Sequence, residues 1–179
     1  GHLVLSTLHT NSAPETVTRL LDMGMDPFSF ADSLLAVLAQ RLVRRLCKKC
    51  VTSRPATDDE IGVLLSEYIG AFPEPESRPT PEAVLAEWRS MLGHDEPLKF
   101  HHAPGCPHCL KSGFAGRVGL HELLSVDREL RHLIQTSARS EQLQACAMAA
   151  GMRTLRQDGI VKVLAGHTSI EEVRSISNN

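Results

Sequence analysis

The stretch Gly1-His-Leu-Val-Leu-Ser-Thr-Leu-His-Thr-Asn-Ser12 decides the fold class of this 179-residue chain. His2–Leu8 is a short, nearly continuous apolar run, the pattern of a strand buried on both faces, although periodicity alone also admits a helix. It ends in the polar turn His9-Thr-Asn-Ser12. A helix is expected next, with Pro14 and Glu15 in its first turn, Val17, Leu20 and Leu21 on one face, and Gly24 as its stop. Strand, polar turn and helix in that order point to an α/β fold. In open α/β sheets ligands sit beyond the carboxyl ends of strands. Ser6, Thr7, His9 and Thr10 gather at such an end, where hydroxyls and an imidazole can meet phosphates. The same residues also serve as ordinary turn and cap chemistry.

Downstream, Asp26-Pro27 opens a second apolar helix, expected to run through Phe30, Leu34, Leu35, Val37 and Leu38, with Gln40–Leu46 passing from helix end into strand. Residues 51–105 hold seven of the ten prolines and read as an inserted, loop-rich unit. Two helices interrupt it. One starts at the capping box Thr57-Asp-Asp-Glu60 and carries Ile61, Leu64, Leu65 and Tyr68; the other follows Thr80-Pro81 and carries Val84, Leu85, Trp88 and Leu92. Their apolar stripes are expected to be core contacts within the insert. Arg117–Leu124 reads as a strand, followed by helices over Asp127–Ile134, Ser140–Ala150 and Thr154–Ala165. The capping box Thr168-Ser-Ile-Glu171 begins a short last helix.

Four of the five cysteines form two C-x-x-C pairs, Cys47-Lys-Lys-Cys50 and Cys106-Pro-His-Cys109, on either side of the insert. A two-residue gap lets both thiolates of a pair reach one ion from a tight knuckle. Two knuckles supply the four sulfurs that tetrahedral Zn²⁺ prefers. Such a closed shell leaves no open position, so the metal would hold structure and perform no catalysis. Arg44, Arg45, Lys48 and Lys49 surround the first pair and would favour thiolates. The alternatives are two disulfides, unrelated buried cysteines, or a histidine (His94, His101, His102 or His108) replacing one sulfur. Cys146, at helical spacing with Leu143, Ala147 and Ala150, reads as a core residue.

Charge narrows the function classes. Nineteen Lys and Arg against 21 Asp and Glu give a formal −2, which argues against a generally basic nucleic-acid binder and an acidic disordered tail. The apolar run Leu34–Ala39 falls far short of the roughly 20 residues of a membrane span. No segment has the pattern of a secretory leader. The Gly1 start, directly on a strand-like sequence, gives the expectation of a fragment of a longer protein.

Gly1-His-Leu-Val-Leu-Ser-Thr-Leu-His-Thr-Asn11 resembles the His box of the secretion ATPase superfamily. Arg19-Leu-Leu-Asp-Met-Gly24, Leu34-Leu-Ala-Val-Leu-Ala-Gln-Arg-Leu-Val-Arg44, Gly113-Phe-Ala-Gly-Arg-Val-Gly-Leu-His-Glu-Leu-Leu124 and Gly151-Met-Arg-Thr-Leu-Arg-Gln-Asp-Gly159 continue the likeness. The paired C-x-x-C groups resemble the tetracysteine motif of type II secretion traffic ATPases and type IV pilus extension ATPases. The likeness covers nearly the whole chain except about residues 51–100, where the insert is longer than usual. It implies an α/β fold: the C-terminal part of a RecA-like P-loop ATPase core, with an inserted zinc-binding subdomain and a helical C-terminal tail. On that reading residues 1–46 end the core, 47–110 form the tetracysteine subdomain, and 111–179 are a returning strand and the helical tail.

The resemblance also implies a homohexameric cytoplasmic motor, peripheral at the inner membrane, working with inner-membrane secretion or pilus platform proteins. There, ATP and Mg²⁺ would serve hydrolysis that drives pseudopilus or pilus assembly. His9, and secondarily His2, would border the nucleotide near its γ-phosphate, with Ser6 and Thr7 beside them. The phosphate-cradling G-x-x-x-x-G-K-[ST] loop does not occur in these residues, and Gly113-Phe-Ala-Gly116 is too short to replace it. The fragment alone is therefore expected to be inactive. Arg41, Arg44 and Arg45, with Lys48 and Lys49, read as a solvated face supporting the thiolates, as contacts across a subunit boundary, or, least, as a nucleic-acid patch without interleaved aromatics. The rival to the motor reading is a non-enzymatic, zinc-stabilised docking module.

Overall fold

The computed structural model describes residues 2–93 and 97–177. The order is α1 (Ala13–Asp22), α2 (Pro27–Ser33), β1 (Ala36–Leu46), β2 (Thr52–Pro55), α3 (Asp58–Gly70), α4 (Pro81–Leu92), β3 (Lys99–His102), β4 (Phe114–Ser125), α5 (Arg128–Gln135), α6 (Ser140–Ala149), α7 (Leu155–Leu164) and α8 (Ile170–Ile176). Helix and strand are mixed. β1 pairs with β4, and β2 pairs with β3 antiparallel, from Thr52 opposite His102 to Pro55 opposite Lys99. Two compact units result: Gly1–Ala39 with Glu122–Met152, and Gln40–His121 with Arg153–Asn179.

The first unit is a small helical assembly. Ser12 caps α1 by accepting the Glu15 N–H, Asp26 caps α2 through Ser29, and Asp127 caps α5 through Leu130. α1 packs on α6, α2 on α5, and α5 on α6. Val17, Ala31, Leu124, Leu130, Ile134 and Leu143 are buried between them. Cys146, expected in that core, is half-buried.

Two expectations fail in this unit. Residues 2–10 form neither strand nor helix, and Leu3, Val4 and Leu5 are 75%, 79% and 89% exposed. A buried strand exists only where neighbours accept its backbone bonds and cover its faces. Among the described residues none does so. The second helix also ends early, at Ser33. Leu34 is extended, and the apolar run expected to prolong the helix becomes β1 by pairing with β4. A six-residue apolar run fits both periods, and strand pairing decides between them.

In the second unit the insert forms as expected around its caps. Thr57 and Glu60 make a reciprocal capping box at α3, Thr80 caps α4, and Gly93 stops α4 in the left-handed conformation (φ 73°). Leu64, Tyr68, Val84 and Trp88 are buried, and Tyr68 meets Trp88 edge-on with ring centroids 5.3 Å apart. The short β2–β3 pair was not legible in the sequence, because Thr52-Ser-Arg-Pro55 is exposed and lacks an apolar face.

α3 is tied to the C-terminal helices of the same unit mainly by polar bonds. Gln157, fully buried, donates to the Tyr68 carbonyl at 2.9 Å. Arg153 donates to the Tyr68 hydroxyl at 2.9 Å and reaches Glu87 at 2.8 Å, while Glu67 pairs with Arg156 at 2.7 Å and also with Arg174. Gly159 leaves room for α8 to approach α7, since a Cβ there would lie 2.4 Å from a Val173 methyl. The last helix starts one residue later than its capping box suggested. Ser169 is the cap and accepts from Glu172, while Thr168 is buried and donates to the Arg44 carbonyl at 2.8 Å.

Burial alone would raise the Glu67 pKa, but the hydrogen bonds and charges of Arg174 and Arg156 outweigh it and hold the carboxyl below its ordinary value. The folded state thus binds this proton less readily than the unfolded chain. Its contribution is complete above about pH 4.3 and is lost as the pH falls through the lower folded value. Glu67→Gln is expected to lower stability by about 1–2 kcal/mol at neutral pH. Thermal melts of wild type and variant should converge on acidification below pH 4, and a constant gap would refute the assignment.

Candidate metal centre

Cys47 and Cys50 follow the end of β1, and Cys106 and Cys109 precede β4. Each pair closes on itself. The Cys50 and Val51 N–H groups donate to the Cys47 carbonyl at 3.2 and 2.9 Å, and those of Cys109 and Lys111 to the Cys106 carbonyl at 3.2 and 2.9 Å. The Cys106 N–H points at the Cys109 sulfur, 3.1 Å away. The turn requires unusual backbone. Leu110 and Lys111 have φ of 51° and 60°, and Gly105, at φ 100°, sits where a Cβ would lie 2.5 Å from the Lys111 carbonyl oxygen. A bond from the Cys47 N–H to the Gly113 carbonyl, 2.8 Å, registers one knuckle against the other.

The four sulfurs lie within 4.8 Å of one another. The individual separations are 3.9 Å for Cys47–Cys106, 4.0 Å for Cys50–Cys109 and 3.8 Å for Cys106–Cys109. A disulfide would need about 2.05 Å, so neither pair is bridged and all five cysteines are free. A tetrahedral ion with metal–sulfur bonds of about 2.3 Å has sulfur–sulfur edges of about 3.8 Å. The cluster could therefore hold a metal ion with little movement, and a purely thiol donor set suits a soft tetrahedral site. His101, His102 and His108 are outside the ligating group, and His94 lies outside the described residues.

The sulfurs are not equivalent. Desolvation pushes the Cys50 thiol up to about 12, assisted by its thiol neighbours. Desolvation acts the same way on Cys109, but hydrogen bonds from the Cys106 and Gly113 backbone outweigh it and bring that thiol down to about 6. The bonds of the knuckle thus lead in favouring thiolate at Cys109, a role the sequence assigned to the surrounding cations. Of those cations Lys48 and Lys49 are exposed. Arg44 is engaged elsewhere: its guanidinium bonds Glu172 at 2.5 and 2.9 Å and lies 4.3 Å from the centre of the Phe114 ring. Arg45, half-buried, lies near enough to His167 to help depress its pKa, after burial. Arg41 is half-buried.

The polar turn after residue 8 is in the first unit. His2, Ser6, Thr7 and His9 are exposed, and among the described residues their side chains have no hydrogen-bond partner. The turn's backbone is well held. Arg19 donates to the His9 carbonyl at 2.8 Å, and the Asn11 N–H donates to Glu15 at 3.0 Å. Thr10 and Thr16 share a hydroxyl bond of 2.6 Å, and the Ala13 N–H donates to Glu122 at 2.7 Å. Glu122 went unnoticed in the sequence, although its signal was there: Leu120, Glu122 and Leu124 alternate on the buried side of β4, which puts a charge where period 2 demands an apolar residue.

A profile of the family described as Type II/IV secretion system protein matches residues 1–175. The chain belongs to this family. It is similar to the type II secretion system protein HxcR of Pseudomonas aeruginosa, 37% identical over 179 residues, covering 100% of this chain and 29% of the relative. It is likewise similar to the type II secretion system ATPase E of Vibrio cholerae, 41% identical over 99% of this chain and 30% of the relative. The type IV pilus assembly ATPase TfpB of Acinetobacter baylyi is 40% identical over 97% of this chain and 26% of its own length. The chain thus spans less than a third of these secretion-family relatives. Within the family both secretion and pilus proteins match at about the same identity, so identity alone does not separate the two. Among the described residues no helix is long and apolar enough to cross a membrane.

If the knuckle geometry sets the metal cage, changes to backbone and ligand should both release the ion. Gly105→Ala, which forces a Cβ against the Lys111 carbonyl, is expected to speed metal loss to a chelator at least tenfold, and Cys50→Ser to abolish retention. Release monitored with a colorimetric chelator would test this; an unchanged rate in Gly105→Ala would show that the glycine is dispensable.

Proposed function

We propose that this chain is the C-terminal part of a traffic ATPase that powers type II protein secretion by ATP hydrolysis. The carrying observation is the family match over residues 1–175 together with the four-cysteine cluster. In this reading residues 1–46 end a RecA-like core, 47–110 are an inserted zinc subdomain, and 111–179 are the returning strand and helical tail. The full-length protein works as a homohexamer in the cytoplasm, peripheral at the inner membrane beside platform proteins of the secretion apparatus. Relatives named as type IV pilus assembly ATPases favour pilus extension as the second reading.

Zn²⁺ is the ion assigned to Cys47, Cys50, Cys106 and Cys109, where it would supply a fixed cross-link and no chemistry. The nucleotide-facing roles fall to His9, with His2, Ser6 and Thr7 beside it. An imidazole at His9 can stabilise charge on a transferring phosphoryl group if the turn carrying it is rigid. The backbone bonds at His9, Asn11 and Ala13 supply that rigidity. Arg41, Arg44 and Arg45 are the candidates for contacts across a subunit boundary; Arg44 also serves Glu172 and Phe114.

Kinetics and metal analysis of the purified full-length protein test this reading. Mg²⁺-dependent ATP hydrolysis is expected, with His9→Ala lowering kcat about ten- to a thousandfold, and about one Zn²⁺ per chain. The 179-residue chain alone is expected to turn over no ATP. A full-length protein that binds zinc but hydrolyses no nucleotide would replace the motor reading with that of a docking module.

A further inference from the structure

Glu122 is the charged residue among the buried polar side chains described; the others are Thr16, Gln157 and Thr168. It is 4% exposed, on β4, and a buried carboxylate is costly unless it is hydrogen-bonded. Its Oε1 accepts the Ala13 N–H at 2.7 Å, a short, charge-assisted bond across 109 positions of sequence. Ala13 is the first residue of α1, where unpaired N–H groups and the positive end of the helix dipole both favour a negative charge. Directly before it stands the turn carrying His9. Ser12 is extended (φ −144°, ψ 166°), so the chain enters α1 at a sharp angle. Three holds on that turn come from α1: Arg19 on the His9 carbonyl, Glu15 on the Asn11 N–H, and Thr16 on Thr10. They fix the turn to α1, and Glu122 fixes α1 to β4.

We propose that Glu122 is a positioning residue for nucleotide hydrolysis: its buried carboxylate sets where α1 begins and thereby where the His9 imidazole stands. This rests on the reading of His9 as the group beside the γ-phosphate. Glu122 touches no substrate. It acts on α1 through its bond to the Ala13 N–H, and a displacement of about 1 Å at a reacting group can cost as much as a hundredfold in rate.

Two variants of the full-length protein separate reach from charge. Glu122→Asp keeps the charge but withdraws it by one methylene; Glu122→Gln keeps the length and a carbonyl acceptor. Glu122→Asp is expected to lower kcat at least tenfold with KM for ATP within about twofold, and to speed hydrogen exchange at the Ala13 amide. Glu122→Gln should retain kcat within about threefold. A folded Glu122→Asp protein with kcat within twofold of wild type overturns the proposal, as does activity lost only in proportion to folded protein. Equal losses in both variants overturn it too, because a side chain of full reach would then do no better than a shortened one, and reach would not be what sets the rate. His9→Ala in parallel distinguishes the two levels. If kcat depends on His9 but not on Glu122, this proposal alone falls; if His9→Ala leaves kcat unchanged, the reading beneath it falls and takes the proposal with it.

Discussion

The arrangement of the second unit depends on four sulfurs held within 4.8 Å of one another. Residues 51–105 lie between the two knuckles, a span long enough to behave as a small domain of its own. A cross-link around such a loop removes chain entropy from the unfolded state worth about 4 kcal/mol on the chain-entropy account. That scale matters because the insert's own core is small. Leu64, Tyr68, Phe72, Val84, Trp88 and Leu98 fill it, and a helical pair with so few buried side chains is marginal alone. A metal ion closing the loop at the sulfurs would stabilise so small a core.

The insert is held at its far side by a different kind of force. Where the knuckles gather four thiols, α3 meets α7, Arg153 just before it, and α8 through Glu67, Arg153, Arg156, Gln157 and Arg174. These contacts are directional, so they select one orientation of α3 among many that apolar packing would tolerate. Glu67 shared between two arginines illustrates the balance. Burial opposes its charge, and two guanidinium partners more than restore it. Neutralising either arginine would leave a half-buried carboxylate with one partner, which costs more than the same loss on an open surface.

Features whose causes are local are legible in the sequence. The caps at Thr57 and Thr80, the stop at Gly93 and the two knuckles each arise from residues within a few positions of one another, and each forms where expected. Features with distant causes are not. Leu34–Ala39 is equally apolar as helix or strand, and only β4, some eighty residues later, makes it a strand. His2–Leu8 reads as a buried strand because its composition fits one, yet a strand is a property of pairs, and no described residue pairs with it. The start of α8 slipped by one residue because Thr168 met an acceptor on β1, the Arg44 carbonyl, that no local pattern announces. The basic cluster failed similarly. Charges can be counted along a chain, but Arg44 is consumed by Glu172, 128 positions away.

These distant causes converge on the metal site. Leu46, immediately before the first ligand, donates its N–H to the His167 carbonyl at 3.0 Å. Two residues earlier, Arg44 offers its carbonyl to Thr168 and its guanidinium to Glu172 of α8. The Cys47 N–H is taken by Gly113, at the base of the second knuckle. The first knuckle is thus placed by the turn between α7 and α8 as firmly as by its own two-residue gap. Loosening α8 would release the strand end that presents Cys47, and disrupting the knuckles would unmoor the strand end on which α8 is seated. The four cysteines and the last helix therefore form one cooperative element, although 60 residues or more separate α8 from any of the sulfurs.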